Sequence, residues 1–224
     1  YSLDVLRERR AEMAVAFAAD ELYAQQMAGY GKIGNLYSGE EEADFRLRFG
    51  DPFKTVYGEG ACALVLEARA AAESRGAQTY GTVLSFASYE EPGEFADANL
   101  KGEGLEIAVE QSLSRAGLGA GEIDLIVWSP RGDAQDEKVL RLRRGLFPRA
   151  GIVTNVFNTG YVESVSAISA LAEVLYCLKN GIALWRQRTG LAEIDGAPLP
   201  DSPKNILCMA SSHVGNNFSL VCRV

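Results

Sequence analysis

The stretch VTNVFNTGYVESVSAISALAEVL, residues 153–175, decides how the rest of the chain is read. A short β-prone run at Ile152-Val153 breaks at Asn158-Thr159-Gly160, after which Val162, Val165, Ile168, Ala172 and Leu175 follow at helical spacing. The pattern predicts a strand, a turn and a small-residue helix beginning near Val162. A turn of this kind places one side chain at the mouth of a pocket and aims the helix N-terminus at whatever binds there. That side chain is Tyr161.

Outward from this stretch, apolar runs alternate with amphipathic ones. Met13–Ala18, Cys62–Glu67, Thr82–Ala87, Leu125–Trp128, Ile206–Ala210 and Phe218–Val224 read as buried strands. Leu3–Arg10, Ala68–Arg75, Gly102–Ala116 and Asp136–Arg144 read as helices, so the fold class is a layered α/β. Asp20-Glu21-Leu22 opens a loop or short helix, and Tyr30 to Asp51 is rich in glycine and charge, with Glu40–Glu42 as a solvated run. Gly58-Glu59-Gly60 reads as a tight turn whose carboxylate is buried or caps a backbone. A join at Gly76–Gln78 divides the chain into residues 1–78 and 79–224.

The chain has 224 residues, 47% of them hydrophobic, enough for a substantial core. Its net charge of −8 argues against nucleic acid and against an anionic membrane surface as partners. No apolar run is as long as a membrane span and YSLDVLRERR holds no signal-peptide core, so a cytoplasmic location is expected. Cys62, Cys177, Cys208 and Cys222 lie in apolar runs without metal-ligand spacing, so buried thiols are expected and neither a metal nor a cofactor is. The single histidine, His213, reads as a hydrogen-bonding spacer in a loop.

Several of these segments resemble the thiolase-like β-ketoacyl synthases. Val156 to Tyr161 aligns with the family's Lys-x-x-x-Gly-His, and Pro52-Phe53 through Gly58-Glu59-Gly60-Ala61 to Leu66-Glu67 with its Pro-Phe…Gly-Glu-Gly-Ala…Leu-Glu. Glu122-Ile123-Asp124-Leu125-Ile126 and the closing turn Ser211 to Asn217 also match. The resemblance implies the α-β-α-β-α thiolase-like fold, with this chain supplying the second half and the end of the first. It implies a nucleophilic cysteine upstream of Tyr1. Tyr1 in place of Met, with a helix starting at once, is what a fragment would show.

Mapped residue by residue, the family's two histidines fall on Ser129 and Tyr161 and its lysine on Val156. Tyr161, His213 and Asn217 take pocket or gate positions, His213 standing where a gating phenylalanine is expected. Arg141, Arg143, Arg144 and Arg149 form the dense basic cluster, either a helix end whose cations complement the macrodipole or a docking patch for an acyl carrier protein. Only four residues separate Phe53 from Gly58, where the family carries a longer stretch.

Decarboxylative condensation needs a thiolate to hold the acyl group and preorganised donors for the developing enolate. With both histidines and the lysine replaced, the resemblance implies a silent, chain-length-factor-type subunit of a type II polyketide or fatty-acid system. Such a subunit pairs with an active ketosynthase as a heterodimer, served by an acyl carrier protein. The alternative is an active condensing or acyl-transfer enzyme whose rearranged site is completed by the upstream half.

Overall fold

The computed structural model describes residues 1–32, 34, 36–37, 55–92, 103–131, 136–185, 192–212 and 215–224. The decisive strand is β4, Leu125–Trp128, all four residues of which are buried. Successive side chains of a strand point to opposite faces. Ile126 and Trp128 accordingly enter a core with Leu105, Val109, Leu140, Phe147 and Met209. Leu125 and Val127 enter a second core with Val153, Leu171, Val174 and Cys208. A run of unbroken apolar residues is what a strand covered on both faces requires.

β4 is hydrogen-bonded in parallel to β5, Gly151–Val153, and to β6, Asn205–Ser211. β6 pairs antiparallel with β7, Asn216–Arg223, and β7 antiparallel with β3, Thr82–Glu90, giving the order β3-β7-β6-β4-β5. Helices α4, Glu103–Ala116, and α5, Asp136–Leu146, supply Leu105, Val109, Val139 and Leu140 to the first core. Helix α7, Ser166–Lys179, supplies Leu171 and Val174 to the second.

A second, two-stranded sheet pairs β1, Met13–Asp20, with β2, Gly60–Glu67, antiparallel in register from Met13 opposite Glu67 to Asp20 opposite Gly60. α7 touches β2 on one side and β4 and β6 on the other. Helix α1, Ser2–Arg7, packs on β1, and its Arg7 Nη2 donates to Leu84 O of β3 at 2.9 Å. The described layers therefore run α4/α5, five-stranded sheet, α7/α1, two-stranded sheet, as the thiolase-like architecture orders them.

Four expectations are corrected here. β1 and β2 are not buried as expected: one face of the ribbon carries Met13, Val15, Phe17 and Val65 at 48, 58, 67 and 60% exposure. The alternation along β1 is that of a strand covered on one face only among the described residues. Gly58-Glu59-Gly60 is not a tight turn, since neither glycine has positive φ and the segment runs straight into β2. α1 ends at Arg7 and not Arg10, the chain turning at Arg9 with φ 56°. The small-residue helix starts at Ser166 and not Val162, because the Ser166 Oγ accepts the Val162 amide at 2.7 Å and holds the intervening residues in a turn. Two shorter helices, α3 at Arg69–Ser74 and α6 at Val156–Thr159, follow β2 and β5, and α8 spans Ala192–Asp195.

Candidate functional site

The carboxyl ends of β4, β5 and β6 lie on one edge of the sheet, where open α/β folds gather their functional residues. Ser129 follows β4 directly and Thr154, Asn155 and Val156 follow β5, so the adjacent parallel strands bring the mapped positions to the same edge. A strap of extended chain, Thr55 to Gly58, crosses this edge. Its Thr55 Oγ1 donates to Arg131 O at 2.5 Å. Further along, the Tyr161 amide donates to Val56 O at 2.8 Å and the Gly58 amide to Tyr161 O at 3.0 Å. The strap thus ties the chain after Ser129 to the chain at Tyr161.

Tyr161 is 5% exposed and Val156 4%, and together with Tyr57 they form a small apolar cluster. The Tyr57 and Tyr161 rings meet edge to face, centroids 6.1 Å apart at 67°. Tyr30, from helix α2, Ala24–Lys32, stacks flat on the other side of Tyr57 at 4.1 Å and 3°. Leu22, Met27 and Leu36 pack around them. Tyr161 therefore sits inside an aromatic stack and not at the mouth of a pocket, as its sequence position suggested. Its burial follows from Gly160, whose φ of 72° turns the chain back against the strap.

Ser129 is 5% exposed, and its Oγ has no hydrogen-bond partner among the described residues. Two residues on, the Arg131 amide donates to both carboxylate oxygens of Asp136 at 3.1 Å, fixing the chain at the start of α5. After β5, Asn155 Nδ2 donates to Ser169 Oγ at 3.0 Å and to Glu173 Oε1 at 3.1 Å, both on α7. The mapped centre thus offers two hydroxyls and an isopropyl group, none of which carries positive charge.

The remaining sequence-derived positions are scattered. Asn217 is buried in β7, accepts from Ser211 Oγ at 2.9 Å and donates to Gly215 O at 3.0 Å, so it braces the β6–β7 hairpin. His213 lies outside the described residues. Of the arginines, Arg141, Arg144 and Arg149 are exposed, whereas Arg143 is buried with its Nη2 donating to Ala150 O at 3.2 Å. Arg144 pairs with Glu137. Arg143 belongs to the closure of α5, not to a surface patch.

Burial, and less strongly the Cys222 charge, pushes the Cys208 thiol up to about 12, and burial pushes Cys222 to about 11. Cys62 and Cys177 are half-buried and not buried as expected, and they are raised as well, by burial first and by Glu173 second. All four thiols are protonated at neutral pH, which leaves them without nucleophilic character. Glu59, exposed, accepts the Leu22 amide at 3.3 Å and so caps a backbone group as expected.

The sequence is 30% identical over 179 residues to the actinorhodin polyketide putative beta-ketoacyl synthase 2 of Streptomyces coelicolor, covering 75% of this chain and 43% of that protein. The chain belongs to the thiolase-like β-ketoacyl synthase family. No protein-family model matches it. Among solved ketosynthase structures, the ishigamide ketosynthase/chain length factor shares the fold with a TM-score of 0.81 at 19% identity, over 99% of this chain and 56% of that one. A type II polyketide-synthase acyl-carrier protein in complex with its ketosynthase gives a TM-score of 0.83 at 18% identity, over 100% and 59%. The chain spans less than half the length of the curated ketosynthase relative named above. Among the described residues no helix is long and apolar enough to cross a membrane, and no group of three His, Cys, Asp or Glu is placed to hold a metal ion.

Sequence reasoning missed Tyr30, Tyr57 and Glu163. Tyr23, Met27 and Tyr30 do stand at helical spacing, but Gly29 and Gly31 mask the helix and drew the segment into a loop reading. Tyr57 carries no signal of its own beyond its place before Gly58.

Proposed function

We propose that this chain is a ketosynthase-like subunit without condensation chemistry of its own, which pairs with an active β-ketoacyl synthase and bounds the acyl chamber. One observation carries the reading: Val156 and Tyr161, at the mapped lysine and histidine positions, pack on Tyr57 in an apolar cluster. Enolate stabilisation needs donors preorganised where charge develops, and loss of one such donor costs about 3 to 4 kcal/mol of transition-state stabilisation. Here an apolar side chain and a buried phenol ring stand in their place. The exposed Arg141 and Arg149, together with Arg144 in its pair with Glu137, offer cations to an acidic carrier protein within an otherwise acidic chain. The heterodimer finds support in the similarity to a ketosynthase/chain length factor, and the carrier partner in the similarity to a ketosynthase solved with its acyl-carrier protein.

The test is reconstitution with an active ketosynthase and carrier protein, following both condensation rate and product length. Ser129→Ala and Tyr161→Phe are expected to leave the rate unchanged within about twofold, since neither hydroxyl replaces a charged donor. Tyr161→Ala, which opens space beside Tyr57, is expected to shift product length. A large loss of rate in Tyr161→Phe with the complex intact would favour an active enzyme with a rearranged site.

A further inference from the structure

Helix α2 lies across the Tyr57–Val156–Tyr161 cluster, yet none of its residues is buried. Among the described residues, the side-chain hydrogen bond that ties it to another element is made by Tyr30. The Tyr30 ring stacks on Tyr57, its hydroxyl donates to Glu163 Oε1, and Gln26 Nε2 donates to that hydroxyl at 3.3 Å. Met27 adds apolar contact. A nine-residue helix with no buried residue is too short to be stable alone and belongs to the part of a protein that opens first.

Glu163 stands in the turn ahead of α7, beside Asp20 at the end of β1. The Asp20 Oδ2 accepts both the Ser164 amide at 2.8 Å and its Oγ at 2.6 Å. Among the described residues, the titratable groups around Glu163 are therefore Asp20 from β1 and Tyr30 from α2. Glu59 on the strap is engaged by the Leu22 amide and Glu173 on α7 by Asn155. No cation from these elements is bonded to Glu163.

We propose that α2 is a lid over the Tyr57–Val156–Tyr161 cluster, latched by Tyr30 to Glu163, closed when Glu163 is protonated and loosened when it ionises. The hydrogen bonds are compatible with both states. With Glu163 ionised, donation runs from Gln26 to Tyr30 to Glu163. With Glu163 protonated, its O–H donates to Tyr30 and the Tyr30 O–H needs an acceptor. Gln26 Oε1 is such an acceptor, buried and without a partner among the described residues, and a rotation of the amide brings it to the phenol. Protonation thus keeps the chain of bonds, reverses its direction and removes the repulsion between Glu163 and Asp20.

The electrostatics point the same way. Burial first, and the Asp20 charge second, hold the Glu163 carboxyl above the ordinary carboxylate range. A carboxyl raised in the closed state makes closure most favourable below its open-state value. The advantage falls as pH rises between the open and closed values and is flat above them. The lid stands on this geometry whether or not the chain is catalytically silent.

Hydrogen exchange of the α2 amides in the full chain, followed from about pH 4 to 8 and divided by the intrinsic rate at each pH, tests the proposal. Protection of α2 is expected to fall across this range while that of α4 stays level. Glu163→Gln is expected to keep α2 protected at every pH, and Tyr30→Phe to lower its protection by roughly fivefold at the acid end of the range, where the lid is closed, as loss of an ordinary hydrogen bond implies. A level wild-type profile, or Glu163→Gln retaining the wild-type slope, overturns the lid. Should a variant fail to fold, as lost α4 protection would reveal, the wild-type profile alone decides.

Discussion

Gly58 and Gly160 lie backbone against backbone where the strap crosses the edge of the five-stranded sheet. A Cβ on Gly58 would come within 1.9 Å of Thr159 O, and one on Gly160 within 2.8 Å of the Gly58 nitrogen. This contact seats the strap against Tyr161, and one further position shows that it is specific. Gly60 has nothing within 4 Å of an added Cβ, so only the first glycine of the Gly-Glu-Gly motif is required by space.

Gly58→Ala is therefore expected to destabilise the chain by about 3 kcal/mol, the upper range for overpacking, since the obstacle is backbone and cannot swing away. Gly60→Ala, in the open, is expected to change stability by less than about 0.5 kcal/mol. Urea denaturation of the two variants measures the difference. Equal stabilities would mean that the strap does not hold this close approach in solution.

The fold was legible where periodicity and burial coincide. Leu125–Trp128 is apolar at every residue because both faces are covered, and that pattern survives in the sequence alone. Met13–Asp20 is just as apolar but is exposed on one face, and nothing in its composition distinguishes a covered face from an open one. At the site, the mapping of Val156 and Tyr161 was readable from Gly160 and its neighbours, and that of Ser129 from the end of the Leu125–Trp128 run. What fills the space was not, because Tyr30 and Tyr57 reach Tyr161 from 131 and 104 residues away, and only folding brings them there.

The open face of the β1–β2 ribbon forms a continuous apolar row, with Val15 directly opposite Val65 and Phe17 opposite Ala63. Contiguous exposed apolar surface marks a place of contact with further protein. The chain is expected to bury this row in an assembly, and Phe17→Asp to weaken that association by about tenfold or more. Sedimentation of both forms is the measurement. If the wild-type chain sediments as a monomer at all concentrations and Phe17→Asp behaves alike, the row is not an interface.

The thiols give a pH-dependent expectation. Cys208 is raised to about 12 and Cys222 to about 11, so the reactive thiolate is scarce at pH 8 even before access is considered. Iodoacetamide at pH 8 should leave both unmodified in the native chain and alkylate all four cysteines once urea unfolds it. Mass spectrometry of the digests reads this directly. Rapid native labelling of Cys208 would place it in a different environment from the α7-facing core.

A charged group at the mapped lysine position offers the sharpest test of the cluster. Val156→Lys would place an ammonium among Tyr57, Tyr161, Met27 and Leu22, where the apolar packing offers little to solvate it. An uncompensated buried charge costs about 3 kcal/mol or more, so the variant should be clearly less stable than wild type at neutral pH. The sign of its pH dependence follows from burial, which depresses a lysine below its free value of about 10.4. The variant is then penalised at every pH below that value, most heavily once the pH has fallen past the depressed folded value, and recovers as the pH rises toward 10. Urea midpoints of Val156→Lys and wild type between about pH 6 and 10 measure the gap. A gap that closes with rising pH is the expected result. A lysine variant as stable as wild type at pH 6 would mean that the cluster has room and water for a cation. The same variant paired with Tyr161→His should then be assayed for condensation.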